Sequence, residues 1–160
     1  MSLKITLMKS IVRMPALGLA AVLLAGCASG AVNTPSEDAE CRPSPIQQSE
    51  IGFLEIQGDM HSDGELWALL FFGEAHVQEE LKIVWRLTGG EGPVTVQAAL
   101  DDGTTAAPIW GPEFHESSTW ERPGDEWGTG FNFPQPGCWT LTVTRGDAAG
   151  EIRLDVLPPR

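Results

Sequence analysis

A chain of 160 residues is sized for one domain with a tail. Its 42% hydrophobic content suffices for one core, and 18 Gly with 12 Pro favour many short strands joined by turns over long helices. The formal net charge of −12 is concentrated, because residues 27–160 hold all 22 acidic groups and only 7 of the 10 basic ones; so acidic a surface repels phosphate backbones and anionic headgroups, which argues against nucleic acid as a partner and against electrostatic docking on a membrane.

Residues 1–26 have the three parts of an export signal. Lys4, Lys9 and Arg13 make a basic beginning, Met14 to Ala25 an apolar run, and Leu24-Ala25-Gly26-Cys27 the cleavage region. The apolar run is shorter than the ~20 residues a bilayer span requires. Met8 begins a segment that is complete by itself. Leu-Ala-Gly-Cys resembles the bacterial lipobox, in which small residues seat the backbone in the peptidase and the cysteine thiol accepts a diacylglyceryl group. Cys27 is therefore the expected lipidation site and membrane contact. Two acyl chains on one residue anchor stably, whereas one chain, at ~0.8 kcal/mol per buried methylene, is marginal. Ala28 follows, so the Asp that retains lipoproteins at an inner membrane is absent.

Residues 27–50 are rich in Ser, Pro, Ala and acid, show no period, and read as a flexible tether. With Cys27 acylated, two cysteines remain in an oxidising compartment, and a Cys41–Cys138 disulfide is expected.

The domain is expected over residues 51–160. Ile51 to Gln57 is a first strand, and Glu65 to Phe72 (ELWALLFF) a nearly continuous apolar run suited to a strand covered on both faces. In Glu80 to Leu87, Leu81, Ile83, Trp85 and Leu87 alternate with Lys82, Val84 and Arg86. Val94, Val96, Ala98 and Leu100 alternate next, before the turn Asp101-Asp102-Gly103. Trp139, Leu141 and Val143, then Ile152, Leu154 and Val156, form a hairpin across Arg145-Gly146-Asp147. About seven strands with frequent turns and no helical period predict an all-β antiparallel sandwich.

Pro136-Gly137-Cys138-Trp139-Thr140-Leu141-Thr142-Val143 resembles the turn and strand of immunoglobulin-like domains, in which Gly precedes a core aromatic by two. Trp139 stands where those domains place Tyr, and an indole N–H can only donate. With Trp139 facing the core, Cys138 faces away, and the disulfide clips the tether to the exterior. More broadly, Gly64-Glu65-Leu66-Trp67-Ala68-Leu69-Leu70, Lys82-Ile83-Val84-Trp85-Arg86, Arg122-Pro123-Gly124-Asp125-Glu126-Trp127-Gly128 and Pro136-Gly137-Cys138-Trp139 resemble uncharacterised cell-envelope lipoproteins of the actinobacterial type. The resemblance implies an envelope location and no particular activity.

Catalytic signatures are missing from the sequence: there is no Gly-x-Ser-x-Gly and no Cys-x-x-Cys, and His115-Glu116-Ser117-Ser118-Thr119 starts like a zinc-protease motif but has Thr where the second ligand belongs. Asp59-Met60-His61-Ser62-Asp63-Gly64 imitates a calcium loop but has Leu70 at the twelfth position, so it reads as a polar turn. No metal or cofactor is assigned. A hydrolase assembled from His61, His76, His115 and nearby carboxylates is the alternative, and a structural envelope subunit the third.

Trp110, Trp120 and Trp127 lie among Gly, Pro, Ser and Glu, outside any alternating run. Flat aromatics beside charged groups stack and orient a sugar ring or peptide, and loops at the end of a sandwich are where such modules bind. Trp110, Glu113, His115, Trp120, Arg122 and Trp127 are the candidate ligand-binding residues of a non-catalytic module, with a cell-wall glycan, a peptide or an envelope protein as the partner classes.

Overall fold

A computed structural model describes residues 41–116 and 118–160; the expected export signal, the expected lipidation site Cys27 and the first part of the expected tether lie outside the described residues. Two six-stranded sheets pack face to face around one core. The first runs in the order β1 (Ile46–Gln48), β2 (Leu54–Gln57), β4 (Leu66–Leu70), β6 (Glu80–Leu87), β10 (Asp125–Asn132), β9 (Trp110–His115). The second runs β3 (Asp59–Met60), β12 (Ala148–Leu157), β11 (Gly137–Arg145), β7 (Val94–Ala99), β8 (Thr105–Ala106), with β5 (Ala75–His76) also beside β12. Every pairing is antiparallel except that of β5 with β12. The fold is an all-β sandwich.

The two-residue period decides what lies inside. From the first sheet Ile56, Leu66, Ala68, Ile83, Trp85 and Leu87 enter the core, and from the second Val96, Ala98, Leu141, Val143, Ile152 and Leu154. Two buried indoles need acceptors for their N–H groups, and both have one. Trp85 Nε1 donates to Thr129 Oγ1 at 2.8 Å, and Thr129 Oγ1 donates in turn to the Ile83 carbonyl at 3.3 Å. Trp139 Nε1 donates to the Gln135 carbonyl four residues upstream, at 3.1 Å. That bond closes the turn before β11. Cys138, beside fully buried Trp139, faces outward and is bonded to Cys41. Closing a loop between residues 97 apart in sequence removes unfolded-state freedom, an effect of ~2–4 kcal/mol.

Two sequence expectations change. The first sheet begins at Ile46, inside the stretch read as tether: Ile46, Gln47 and Gln48 pair with Ile56, Glu55 and Leu54, three exposed residues whose lack of alternation left no signal. Twelve strands replace seven. Several of the extra ones are edge strands of two or three residues, but β9 and β10 come from the aromatic stretch read as loop. Trp127, Thr129 and Phe131 do alternate inward there, and the intervening Gly128 and Gly130 hide the pattern because they have no side chain to declare the opposite face.

Candidate functional site

An antiparallel sheet with one solvated face normally shows polar residues there. The outer face of the β1-β2-β4-β6-β10-β9 sheet departs from this. The register sets its side chains in cross-strand rows. One row runs Glu55, Leu69, Val84, Gly128, Glu113; its neighbour on one side runs Gln57, Trp67, Arg86, Glu126, His115. On the other side Phe71, whose N–H donates to the Lys82 carbonyl, leads through Lys82 and Gly130 to Trp110. Leu69 and Val84 are 2% and 4% exposed, buried against Trp120 in a second apolar cluster separate from the main core.

What covers them is the part of the β9–β10 connection over residues 118–124, folded back over the sheet. Two buried carboxylates hold it there. Glu55 accepts hydrogen bonds from Trp120 Nε1 at 2.8 Å and Gln47 Nε2 at 2.9 Å, and is ion-paired with Arg122. Burial by itself pushes the Glu55 carboxyl up, but the bonds from Arg122, Trp120 and Gln47 and the Arg122 charge outweigh it and hold the group below the usual carboxylate range. Glu126 accepts from Ser118 Oγ at 2.6 Å and Arg86 Nε at 2.9 Å, and His115 Nδ1 lies 3.1 Å from its other oxygen. Arg86 also donates to the Arg122 carbonyl at 2.8 Å, so one guanidinium ties the connection to the sheet. Arg122 itself lies over the Trp67 ring, 4.4 Å from its centroid.

Cover is incomplete. A groove of about 300 Å³ remains between the connection and the sheet, floored by Leu69 and Val84 and walled by Ile51, Phe53, Phe71 and Trp120. Lys82 stands at its side with Nζ 4.7 Å from the Phe71 centroid. Phe53 packs on Phe71 at 4.4 Å, and Phe72, 80% exposed and held at φ 70°, stands edge-on to Phe71. An aromatic residue at positive φ is a rare conformation, and rare conformations concentrate where ligands bind.

The candidate residues of the sequence reading separate. Trp127 faces the main core at 6% exposure, with Arg145 over its ring and Phe114 against its edge, so it is no part of an outward face. Trp120 is on the outer face but only 3% exposed, a groove wall and not a free platform. Trp110 is half-buried and lies across Gly130: a Cβ there would meet its Nε1 at 2.0 Å. That Nε1 donates to Glu80 Oε1 at 2.7 Å. Glu113 is exposed, His115 lines the groove, and Arg122 serves the cover. Ile51, Phe53, Leu69, Phe71, Lys82 and Val84 were missed. Their signal was present as two adjacent phenylalanines and a valine on the polar side of an otherwise clean alternation.

The three histidines do not converge. His61 lies 3.3 Å from Glu151, His76 is buried with Nδ1 2.8 Å from the Pro158 carbonyl, and His115 faces Glu126. Among the described residues, no group of three or more His, Cys, Asp or Glu is placed to hold a metal ion. Comparison with known proteins gives no match: no family model, curated protein or solved structure is similar to the chain.

Proposed function

We propose that the chain is a lipid-anchored, extracytoplasmic binding module of the bacterial cell envelope, an immunoglobulin-like sandwich that holds its ligand on the outer face of the β1-β2-β4-β6-β10-β9 sheet and performs no catalysis. The observation that carries the reading is the half-covered apolar groove on a face that alternation should make polar. Concave apolar surface with a few fixed polar groups is what ligand sites are made of. Binding rather than catalysis is supported by the two carboxylates at the site: each is already saturated by hydrogen bonds and an arginine, which leaves neither free to move a proton. The lipid on Cys27 supplies the membrane contact, and the oxidising location suits the Cys41–Cys138 pair.

The test is a tryptophan-fluorescence titration with cell-wall glycan fragments, peptides and amphiphiles, on wild type and on Ile51→Arg. Ile51 is 38% exposed at the groove, so arginine is tolerated by the fold and obstructs the site. A saturable shift in wild type that Ile51→Arg abolishes is expected; no shift with any of these ligands sinks the proposal.

A further inference from the structure

Residue 82 is the only lysine beyond residue 9, in a chain whose net charge is −12. Four of the six arginines among the described residues have a carboxylate partner, Arg86 with Glu126, Arg122 with Glu55, Arg145 with Asp125 and Arg160 with Glu79, and Arg42 and Arg153 have none within 4.0 Å. Lys82 has none either. Among the described residues no carboxylate lies within 4.0 Å of its Nζ, which rests over the Phe71 ring at the side of the apolar groove. Of the acids on the same face, Glu80 is bonded to Trp110, Glu55 to Arg122, Trp120 and Gln47, and Glu126 to Arg86 and Ser118 with His115 beside it, while Glu113 is exposed and more than 4.0 Å from Nζ. What sets Lys82 apart is its place: a cation without a carboxylate, half-buried against the aromatic wall of an apolar groove in an acidic protein, leaves room for one negative charge.

We infer that the groove takes a small amphiphile with one negative headgroup, an alkyl chain carrying a carboxylate, whose chain lies on Leu69 and Val84 between Phe53, Phe71 and Trp120 while Lys82 pairs with the head. The inference rests on the binding-module reading and names its ligand class. An alkyl chain suits the site better than a peptide does. The groove lies on the face of the sheet, where the facing backbone groups of β4 and β6 are consumed by their ladder, so a bound peptide backbone would find few partners there for its own N–H and C=O. A chain of methylenes needs none. A volume of about 300 Å³ is at the small end of ligand sites, which fits one short chain and excludes a large lipid.

The experiment compares decanoate, decanol and decyltrimethylammonium by tryptophan fluorescence on the full chain, with Lys82→Gln and Ile51→Arg as variants. Decanoate is expected to bind at least tenfold more tightly than decanol, with the ammonium weaker still. Lys82→Gln, which removes the charge, keeps two of the four methylenes and leaves thermal stability near wild type, should bring decanoate down to the decanol level and leave decanol unchanged. Equal binding of decanoate and decanol in wild type, lost in Ile51→Arg, would overturn the carboxylate inference while the binding-module reading stands. A Lys82→Gln protein that keeps its preference for decanoate would overturn it equally. A shift with a peptide but with none of the three amphiphiles would replace the alkyl ligand by a peptide; silence toward every ligand would remove both readings.

Discussion

The two sheets share one core and one rule of alternation, yet their outer faces are opposite in character. On β11 and β7 the outward residues are Thr140, Thr142, Thr144, Thr95 and Gln97, and on β12 they are Glu151, Arg153 and Asp155. Thr95 and Thr144 join hydroxyls at 2.5 Å, and Thr140 and Thr142 stand opposite Arg153 and Glu151. Those side chains need only water and one another. On the first sheet, Trp67, Leu69, Phe71 and Val84 occupy equivalent positions, and residues 118–124 are bent over them and fastened by Glu55 and Glu126. Core formation requires only the inward half of each strand, so the outward half is where function is written.

The contrast is sharpest at Trp120. Trp120→Ala removes the ring from Leu69 and Val84 and leaves an acceptor oxygen of Glu55 without its indole partner; a loss of about 3 kcal/mol in urea denaturation is expected. A change under about 0.5 kcal/mol would mean that the connection is an ornament on an already complete fold. Next in size is Glu55. Glu55→Gln keeps the shape but weakens the bonds from Arg122 and Trp120, and should cost about 2 kcal/mol at pH 7. Because the folded-state carboxyl titrates below its unfolded value of about 4.3, its contribution is fully present above that pH and disappears as pH falls through the lower folded value. Urea midpoints measured from pH 6 to pH 2.5 should therefore converge for wild type and Glu55→Gln at the acid end; parallel curves would refute the linkage. The smallest effect belongs to the other face: Thr142→Ala should stay within about 0.5 kcal/mol of wild type, and a larger loss would show that the polar sheet is covered too.

The inward half of this fold was readable without coordinates. Glu80 to Leu87 forms the strand its alternation announced, and Trp139 enters the core with Cys138 pointing away, as the Gly-Cys-Trp-Thr-Leu pattern required. The Cys41–Cys138 pairing followed from counting cysteines. The outer site was far less legible. Glycine erased the period of β10, so Trp127 was placed in a loop when Thr129 and Phe131 should have marked it as core. Glu55 and Phe53 come within reach of residues 118–122 only because the sheet order sets β2 beside β4 and β4 beside β6, a long-range fact that no local spacing encodes. Lys82 reads in sequence as an ordinary solvated charge, and only the cross-strand register sets it against Phe71 at the side of the groove.

The disulfide also has a mechanical meaning. β1 is an edge strand held to β2 by a three-residue ladder, and a pull on the chain ahead of residue 41 would by itself peel it away one rung at a time. The bond from Cys41 to Cys138 sends that load instead into β11, which is paired with β12 from Gly137 to Arg145 and with β7 from Thr140 to Arg145. To yield there, two ladders must shear together, so the covalent link diverts tension from a lightly held edge strand to one of the best-supported strands of the sandwich.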